Sequence, residues 1–454
     1  MTDHFALAET LSKNGQSHLL NGVDALDAAT RTAYLARLAA VDWEELHHQH
    51  VDHTAGSVGP SRVIDLKERA VRGGVLAPVG EAAYRAGKVA VLMVAGGQGT
   101  RLGFSGPKGC FGIGVHSHKS IYQVQAEKVV ALSRRLGRPV PFLVMTSPMT
   151  DGETREFFAA NGDFRLQPGQ LRIFSQGTVP SLDQHGKALL EKPGKLLENP
   201  DGHGGCFTAL VKSGHLARLK EEGVTHLAYI QVDNIIVPVD DPFLIGLATV
   251  EQADVITKVL EKANPDEKVG HLVRLGNHDV IIEYTELTPE QTRSKDAQGE
   301  LVYRWGSPAI HCWSVDFLSR LATSGYRLPL HRSSKPLKAW IDGKVTEVKG
   351  WKAERFIFDL IPQARTSFGL AIIREEEFAP VKNATGVDSA QSAVALASAL
   401  YARWLSEAGV KVTLPADARI EISPLFAATA AQLKANWDQR VAEVSGNYFL
   451  EEAR

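Results

Sequence analysis

The stretch Gly96-Gly97-Gln98-Gly99-Thr100-Arg101-Leu102-Gly103, followed by Gly106-Pro107-Lys108-Gly109, joins closely spaced glycines to two cations. Glycines let backbone approach a ligand closely and turn several N–H groups toward one point. Arg101 and Lys108 add positive charge to the same loop. That combination suits a polyphosphate, and two cations behind it suit one whose terminal groups leave together as charge develops. Two further polar residues stand where apolar runs end: Gln176 after Leu171–Phe174, and Asp233 after His226–Val232.

The elements that must position these residues follow from the surrounding pattern. Val89–Val94 is an unbroken apolar run of strand length and leads straight into the glycine loop. Ser120–Leu136 has the spacing of an amphipathic helix, with Ser120 as N-cap and Gly137 beyond the last turn. Pro141–Thr146 reads as a buried strand, Glu153–Ala160 as a helix, and Ala253–Leu260 continues the alternation. The pattern predicts an α/β fold, a Rossmann-like mixed, mostly parallel central sheet with helices on both faces. Ligands in such sheets bind beyond the carboxyl ends of strands, which puts the glycine loop, Gln176 and Asp233 on one rim.

Residues 1–87 read as an N-terminal helical segment, 88–380 as the α/β domain that carries the glycine loop, and 381–454 as a small C-terminal α+β appendage. Within the first, Ala25–Val41 is helical, whereas Ser57–Pro60 and Gly73 to Pro78 read as loop. The cluster His47 to His53 reads as a solvated helix end, because it lacks a zinc template such as HExxH. Residues 280–313 read as strand, polar excursion and strand, and 327–343 as a Lys-, Ser- and Pro-rich loop. Phe356 and Phe358 alternate as strand residues do, Ser389–Leu405 is an Ala-rich helix, and Ala428–Val444 a final helix.

Composition removes several classes. The formal net charge of −2 offers no general attraction to nucleic acid or to an anionic membrane. No apolar run approaches the roughly 18 residues of a membrane span, and the first residues lack the basic and apolar regions of a signal peptide. Cys110, Cys206 and Cys312 are widely spaced, with neither a disulfide framework nor a CxxC zinc pattern, so the expected setting is reducing and cytoplasmic.

The glycine loop is a GxGxxxG, one residue off the dinucleotide fingerprint. No acidic residue ends a second strand about 20 residues on, and GxxxxGK[ST] is absent. A nicotinamide oxidoreductase is therefore disfavoured. GGQGTRLG…PKG, then SHKS and QVQAEKV, resembles the signature of the eukaryotic-type UTP–sugar-1-phosphate uridylyltransferases, most of all the UDP-N-acetylglucosamine pyrophosphorylases. The resemblance continues through SQGTVPSL, PDGHGGCFTAL, IQVDNIIVPVDDP, KVLEKANPDEKVG, VIIEYTEL, ERFIFDL and REEEFAPVKNATG, covering roughly Lys88 to Gly386 in one order.

The resemblance implies roles. Gly96 and Gly97 would meet uridine, Arg101 and Lys108 would hold the triphosphate, and Gln176, Gly202 and His203 would contact the uracil side and the sugar nucleotide. Asp233 would bind Mg²⁺, and Lys382 would reach the phosphate under attack. Gly270, Glu283 and Tyr284 would line the sugar pocket with Phe356 and Phe358 beside it. The implied partners are UTP, a sugar 1-phosphate, a UDP-sugar and pyrophosphate. Ser307 and Ile310 stand where the amino-sugar branch carries Asn, and His203 stands where the UDP-glucose relatives carry His. The sugar therefore stays open between N-acetylglucosamine, glucose and a broad range. A nucleotide-sugar-binding regulatory protein is the non-enzyme alternative, and the intact set of cations argues against it.

Overall fold

The computed structural model describes residues 2–47, 58–438 and 441–452. They form two compact units, one drawn from residues 53–175, 210–326 and 360–454, the other from 1–52, 176–209 and 327–359.

The larger unit is built on a mixed sheet of twelve strands among the described residues. In chain order its principal elements are α1 (Leu66–Arg85), β1 (Val89–Val94), α2 (Ile121–Leu136), β2 (Phe142–Thr146), β3 (Leu171–Ser175), β4 (His226–Gln231), α3 (Pro242–Val250), β5 (Val255–Glu261), β6 (Gly270–Leu275), β7 (His278–Ile282), β8 (Trp305–Ser307), β9 (His311–Ser314), β10 (Ser367–Ala371), α4 (Ala390–Glu407), β11 (Ile420–Ile422) and β12 (Tyr448–Leu450). Strands β3, β2, β1 and β4 run parallel, with Val94 opposite Gln231 and Met145. Beyond β4 the antiparallel β9 separates it from β5, which also pairs in parallel with β10. The α/β alternation thus holds, and the register brings the carboxyl ends of β1 and β4 side by side.

All six residues of β1 are buried, which explains why it reads as a continuous apolar run and not an alternating one. Helix α2 begins and ends where expected: the Ser120 side chain accepts from Gln123 N–H, and Gly137 takes a left-handed φ of 67°. The stretch Gly73–Pro78, expected as loop, instead lies inside α1. Its buried face of Leu76, Gly80 and Tyr84 packs on α3 so closely that local propensity is overruled. The final helix stops at Asn436, and residues 443–444 form a short strand.

The smaller unit has its own core, in which Leu11, Leu19, Leu38, Trp43, Leu196 and Ala353 are all buried. Its helices Thr2–Lys13 and Ala28–Ala39 confirm the helical start of the chain. Residues 327–343 are not a loop: His331–Ile341 pairs along its whole length with Lys344–Glu354 in an antiparallel ribbon. Phe356 and Phe358 lie beyond the end of that ribbon, not on a strand, and Phe358 sits in the 3₁₀ turn Ile357–Gln363. Residues His48 to His53 of the histidine cluster fall outside the described residues.

Candidate functional site

In the larger unit the glycine loop closes on itself through its backbone. Gly99 N–H donates to Gly106 O at 2.9 Å, and Lys108 N–H donates to Gly97 O at 3.0 Å. Arg101 lies exposed on the 3₁₀ turn Thr100–Leu102, which ends on Gly103 at a φ of 71°. A Cβ on Gly97 would meet nothing within 4 Å, so this part of the loop faces open space. Gly96 and Gly97 thus offer bare backbone immediately past β1.

Lys108 folds back toward the end of β4. Its Nζ lies 3.2 Å from Asp233 Oδ2, and both side chains are mostly buried. Lys382, more than 140 residues further along the chain, joins them through backbone pairing. Val381 N–H donates to Asp233 O at 2.9 Å, and Asn234 bridges to Pro380. Asn234 is the residue that makes this junction: its amide donates to Glu377 O at 2.7 Å and accepts from Ala379 N–H at 2.9 Å. The Lys382 ammonium sits 3.7 Å from Asp388 and 5.6 Å from the Phe378 ring. Gly97, Lys108, Asp233 and the segment that carries Lys382 are therefore one constellation.

Behind Asp233, helix α2 supplies two polar residues that the motif reading left without a role. Gln125 donates to Asn234 O at 2.9 Å. Lys128 donates to Ile235 O at 2.8 Å and Val237 O at 2.9 Å, and burial pulls its pKa down to about 7. A glutamine and a lysine one turn apart on the buried face of a helix are out of place by pattern. That was the available signal.

A second group in the same unit gathers Gly270, Ser307 and Glu283. Gly270 is paired with Ser307 across β6 and β8, and a Cβ on Gly270 would lie 3.2 Å from Glu283 Oε1. Ser307 Oγ accepts from Ala309 N–H at 3.3 Å, while Ala309 takes a left-handed φ of 56°. Tyr284 is exposed at the start of the 3₁₀ turn that Glu283 caps.

In the smaller unit, Gly202, His203, Phe356 and Phe358 come together. Gly202 has a φ of 83°, and a Cβ there would lie 2.5 Å from Arg355 O, so only glycine permits this backbone contact. Arg355 N–H donates to Asp201 O, and Gly204 N–H donates to Arg355 O. This pairing stacks the His203 ring on Phe356 at 5.3 Å, with Phe358 at 5.5 Å. Ile357 N–H donates to His203 Nδ1 at 3.2 Å. Burial holds the His203 pKa down to about 4. At neutral pH the ring is thus uncharged, with its proton on Nε2. Gln176 is buried just past β3, next to Gly177, whose carbonyl accepts from Asp201 N–H.

A family model described as UTP–glucose-1-phosphate uridylyltransferase matches residues 44–404. The chain belongs to that family. The enzyme is 35% identical to UDP-N-acetylglucosamine diphosphorylase 2 of Arabidopsis thaliana, over 95% of this chain and 88% of that protein. It is 34% identical to UDP-N-acetylhexosamine pyrophosphorylase-like protein 1 of Homo sapiens, over 88% of this chain and 85% of that one. Among solved structures it is similar to the uridine diphosphate N-acetylglucosamine pyrophosphorylase of Trypanosoma brucei in complex with inhibitor. There the TM-score is 0.83 at 27% identity, covering 100% of this chain and 99% of that one. No described helix of the enzyme is long and apolar enough to cross a membrane.

Proposed function

We propose that the enzyme transfers the uridylyl group of UTP to N-acetylglucosamine 1-phosphate or a related hexose 1-phosphate, giving the UDP-sugar and pyrophosphate. The observation that carries this reading is the Lys108–Asp233 pair at 3.2 Å beside the open backbone of Gly97. It puts a cation, a carboxylate and unhindered backbone at the carboxyl ends of two adjacent parallel strands.

A sugar 1-phosphate is mostly dianionic at neutral pH, since its second pKa is near about 6. Its oxygen therefore needs no general base. What the reaction needs is alignment and charge neutralisation around the α-phosphorus of UTP. Arg101 and Lys108 hold the departing pyrophosphate, and Lys382 holds the phosphate under attack. Displacement is in line, with inversion at phosphorus and no covalent intermediate. Net retention in a stereochemical analysis with chiral α-thio-UTP would sink that mechanism.

Mg²⁺ fits the donor set at Asp233. One hard carboxylate is what this ion takes when substrate phosphates complete its shell, and no cluster of three His, Cys, Asp or Glu competes for it among the described residues. When bound it would neutralise phosphate charge. Within the larger unit, Gly270, Glu283, Tyr284 and Ser307 take the sugar. The unpaired Cys110, Cys206 and Cys312 suit a reducing compartment, which we take to be the cytoplasm.

The test is pyrophosphate release from UTP with the 1-phosphates of glucose, galactose, N-acetylglucosamine and N-acetylgalactosamine. Family membership favours the amino sugar. His203 and Ser307 favour a hexose without the acetamido group, and the ratio of kcat/KM values decides between them. No release with any of the four would leave a nucleotide-sugar-binding protein as the reading.

A further inference from the structure

The residues that follow Lys108 form a small hairpin, Gly112 to Ser120. Gly112 bridges to Ser120, and the N–H groups of Ile113 and Gly114 both donate to Lys119 O, at 2.8 and 3.0 Å. A hairpin this short holds its shape only against other structure. Its tip exposes the N–H groups of His116 and Ser117, and one side chain from the far end of the chain takes both. Glu421 Oε2 accepts from His116 N–H at 2.7 Å and Ser117 N–H at 3.2 Å, while Glu421 Oε1 bonds the Ser117 hydroxyl. His116 Nε2–H donates to Arg419 O at 3.0 Å. At the base, buried Lys119 donates to Glu127 at 2.7 Å and to Ser423 Oγ at 3.0 Å.

These contacts follow the period of a strand. Ile420 and Ile422 of β11 point into an apolar cluster with Leu405, Leu433 and Leu450, while the Glu421 and Ser423 side chains point at the hairpin and Arg419 gives it its backbone carbonyl. Gly114 shows how closely the two fit, because a Cβ there would lie 2.2 Å from Ser117 Oγ and 2.8 Å from Glu421 Oε1. The stem of the hairpin begins two residues past the 3₁₀ turn Lys108–Cys110. Phe111 ties the two, donating its N–H to Lys108 O and accepting from Ile121 N–H. The family match ends at residue 404, before any of the β11 residues.

We propose that Glu421 is a positioning residue for the nucleotide loop. Strand β11 holds the hairpin, and through it the turn that aims the Lys108 ammonium. Glu421 touches no substrate, and its effect is transmitted through Lys108. The proposal therefore rests on the phosphate-binding reading of that lysine.

The test is a double-mutant cycle of E421A and K108A, with kcat and the KM for UTP measured per folded molecule. E421A lowers kcat/KM by roughly tenfold or more, as misplacement of a charge near the reacting atoms does. E421Q recovers most of it, since its amide can accept the two N–H groups and donate to Ser117. On the K108A background E421A has little further effect. If E421A fails to fold, S117A replaces it in the cycle with the same expected pattern. Wild-type kinetics in the folded E421A (or S117A) protein, or an undiminished loss on the K108A background, overturns the proposal. K108A with wild-type kinetics overturns instead the reading of Lys108 itself.

Discussion

Lys108 Nζ and Asp233 Oδ2 stand 3.2 Å apart, one on the loop after β1 and the other at the end of β4, where the parallel register makes those ends neighbours. The pair presets both charges. The lysine neutralises the carboxylate, and under the proposed reading the triphosphate would take over the lysine and a bound Mg²⁺ the carboxylate. D233N keeps the shape and removes the charge. We expect it to lower kcat by about 10²–10³, the loss usual for one group that stabilises developing charge, with little change in melting temperature. Chelation of divalent ions should abolish turnover in the wild type, and Mg²⁺ should restore it. A D233N rate within a few-fold of wild type, measured by pyrophosphate release, would remove Asp233 from the reaction.

Much of that constellation is readable in the sequence because it is local. An all-apolar strand followed by a glycine loop needs no partner to be recognised, and Ser120 and Gly137 mark the ends of α2 by their own chemistry. The pairing of the segment before Lys382 with Asp233 is different in kind. It depends on Asn234 bonding Glu377 O and Ala379 N–H, a long-range junction that leaves no periodic trace. The ribbon of residues 331–354 was hidden for another reason. Several of its side chains are exposed, so the apolar alternation that announces a half-buried strand is weak. Helix α1 was hidden by Gly73, Gly74 and Pro78, whose local preference is overruled by packing on α3.

Acid should destabilise the larger unit before the usual carboxylates titrate. Burial pulls the pKa of His226 and His271 down from about 6.5 to about 4, and for His271 the Lys262 charge adds to the effect. Between those values the unfolded chain binds protons that the native state refuses. Stability is thus fully present above about pH 6.5 and is lost as the pH falls toward 4. The melting temperature should rise steadily from pH 4.5 to 6.5. In H226Q that slope should flatten, each such histidine contributing at most about 1.4 kcal/mol per pH unit. An unchanged slope in the variant would mean that His226 is protonated in the native state. Lys128 acts in the same direction at higher pH, because its native pKa of about 7 lies below the unfolded value.

The crossing of α1 and α3 should be among the least tolerant places in the fold. A Cβ on Gly246 would lie 1.9 Å from Leu76 O, and one on Gly80 would lie 1.8 Å from Pro242 O. Both obstacles are backbone, so no rotamer change relieves them. G246A should cost about 3 kcal/mol or more through forced separation of the helices, read as a lower urea midpoint. Loss of less than about 1 kcal/mol would show that the helices can part without penalty.

Sugar preference should turn on Ser307. It lies opposite Gly270, whose missing side chain leaves Glu283 close by, and its hydroxyl is engaged by Ala309 N–H. That hydroxyl is short, and an acetamido group on the sugar would gain more from an amide that both donates and accepts. S307N supplies one. A single added hydrogen bond contributes about 1 kcal/mol, so the ratio of kcat/KM for N-acetylglucosamine 1-phosphate over glucose 1-phosphate should rise about fivefold. The gain should appear in the KM for the sugar phosphate and leave the KM for UTP alone, because the phosphate loop is untouched. An unchanged ratio would place the acetamido group away from β8, and a fall would mean that the longer amide side chain crowds the sugar and that the serine is there to admit it.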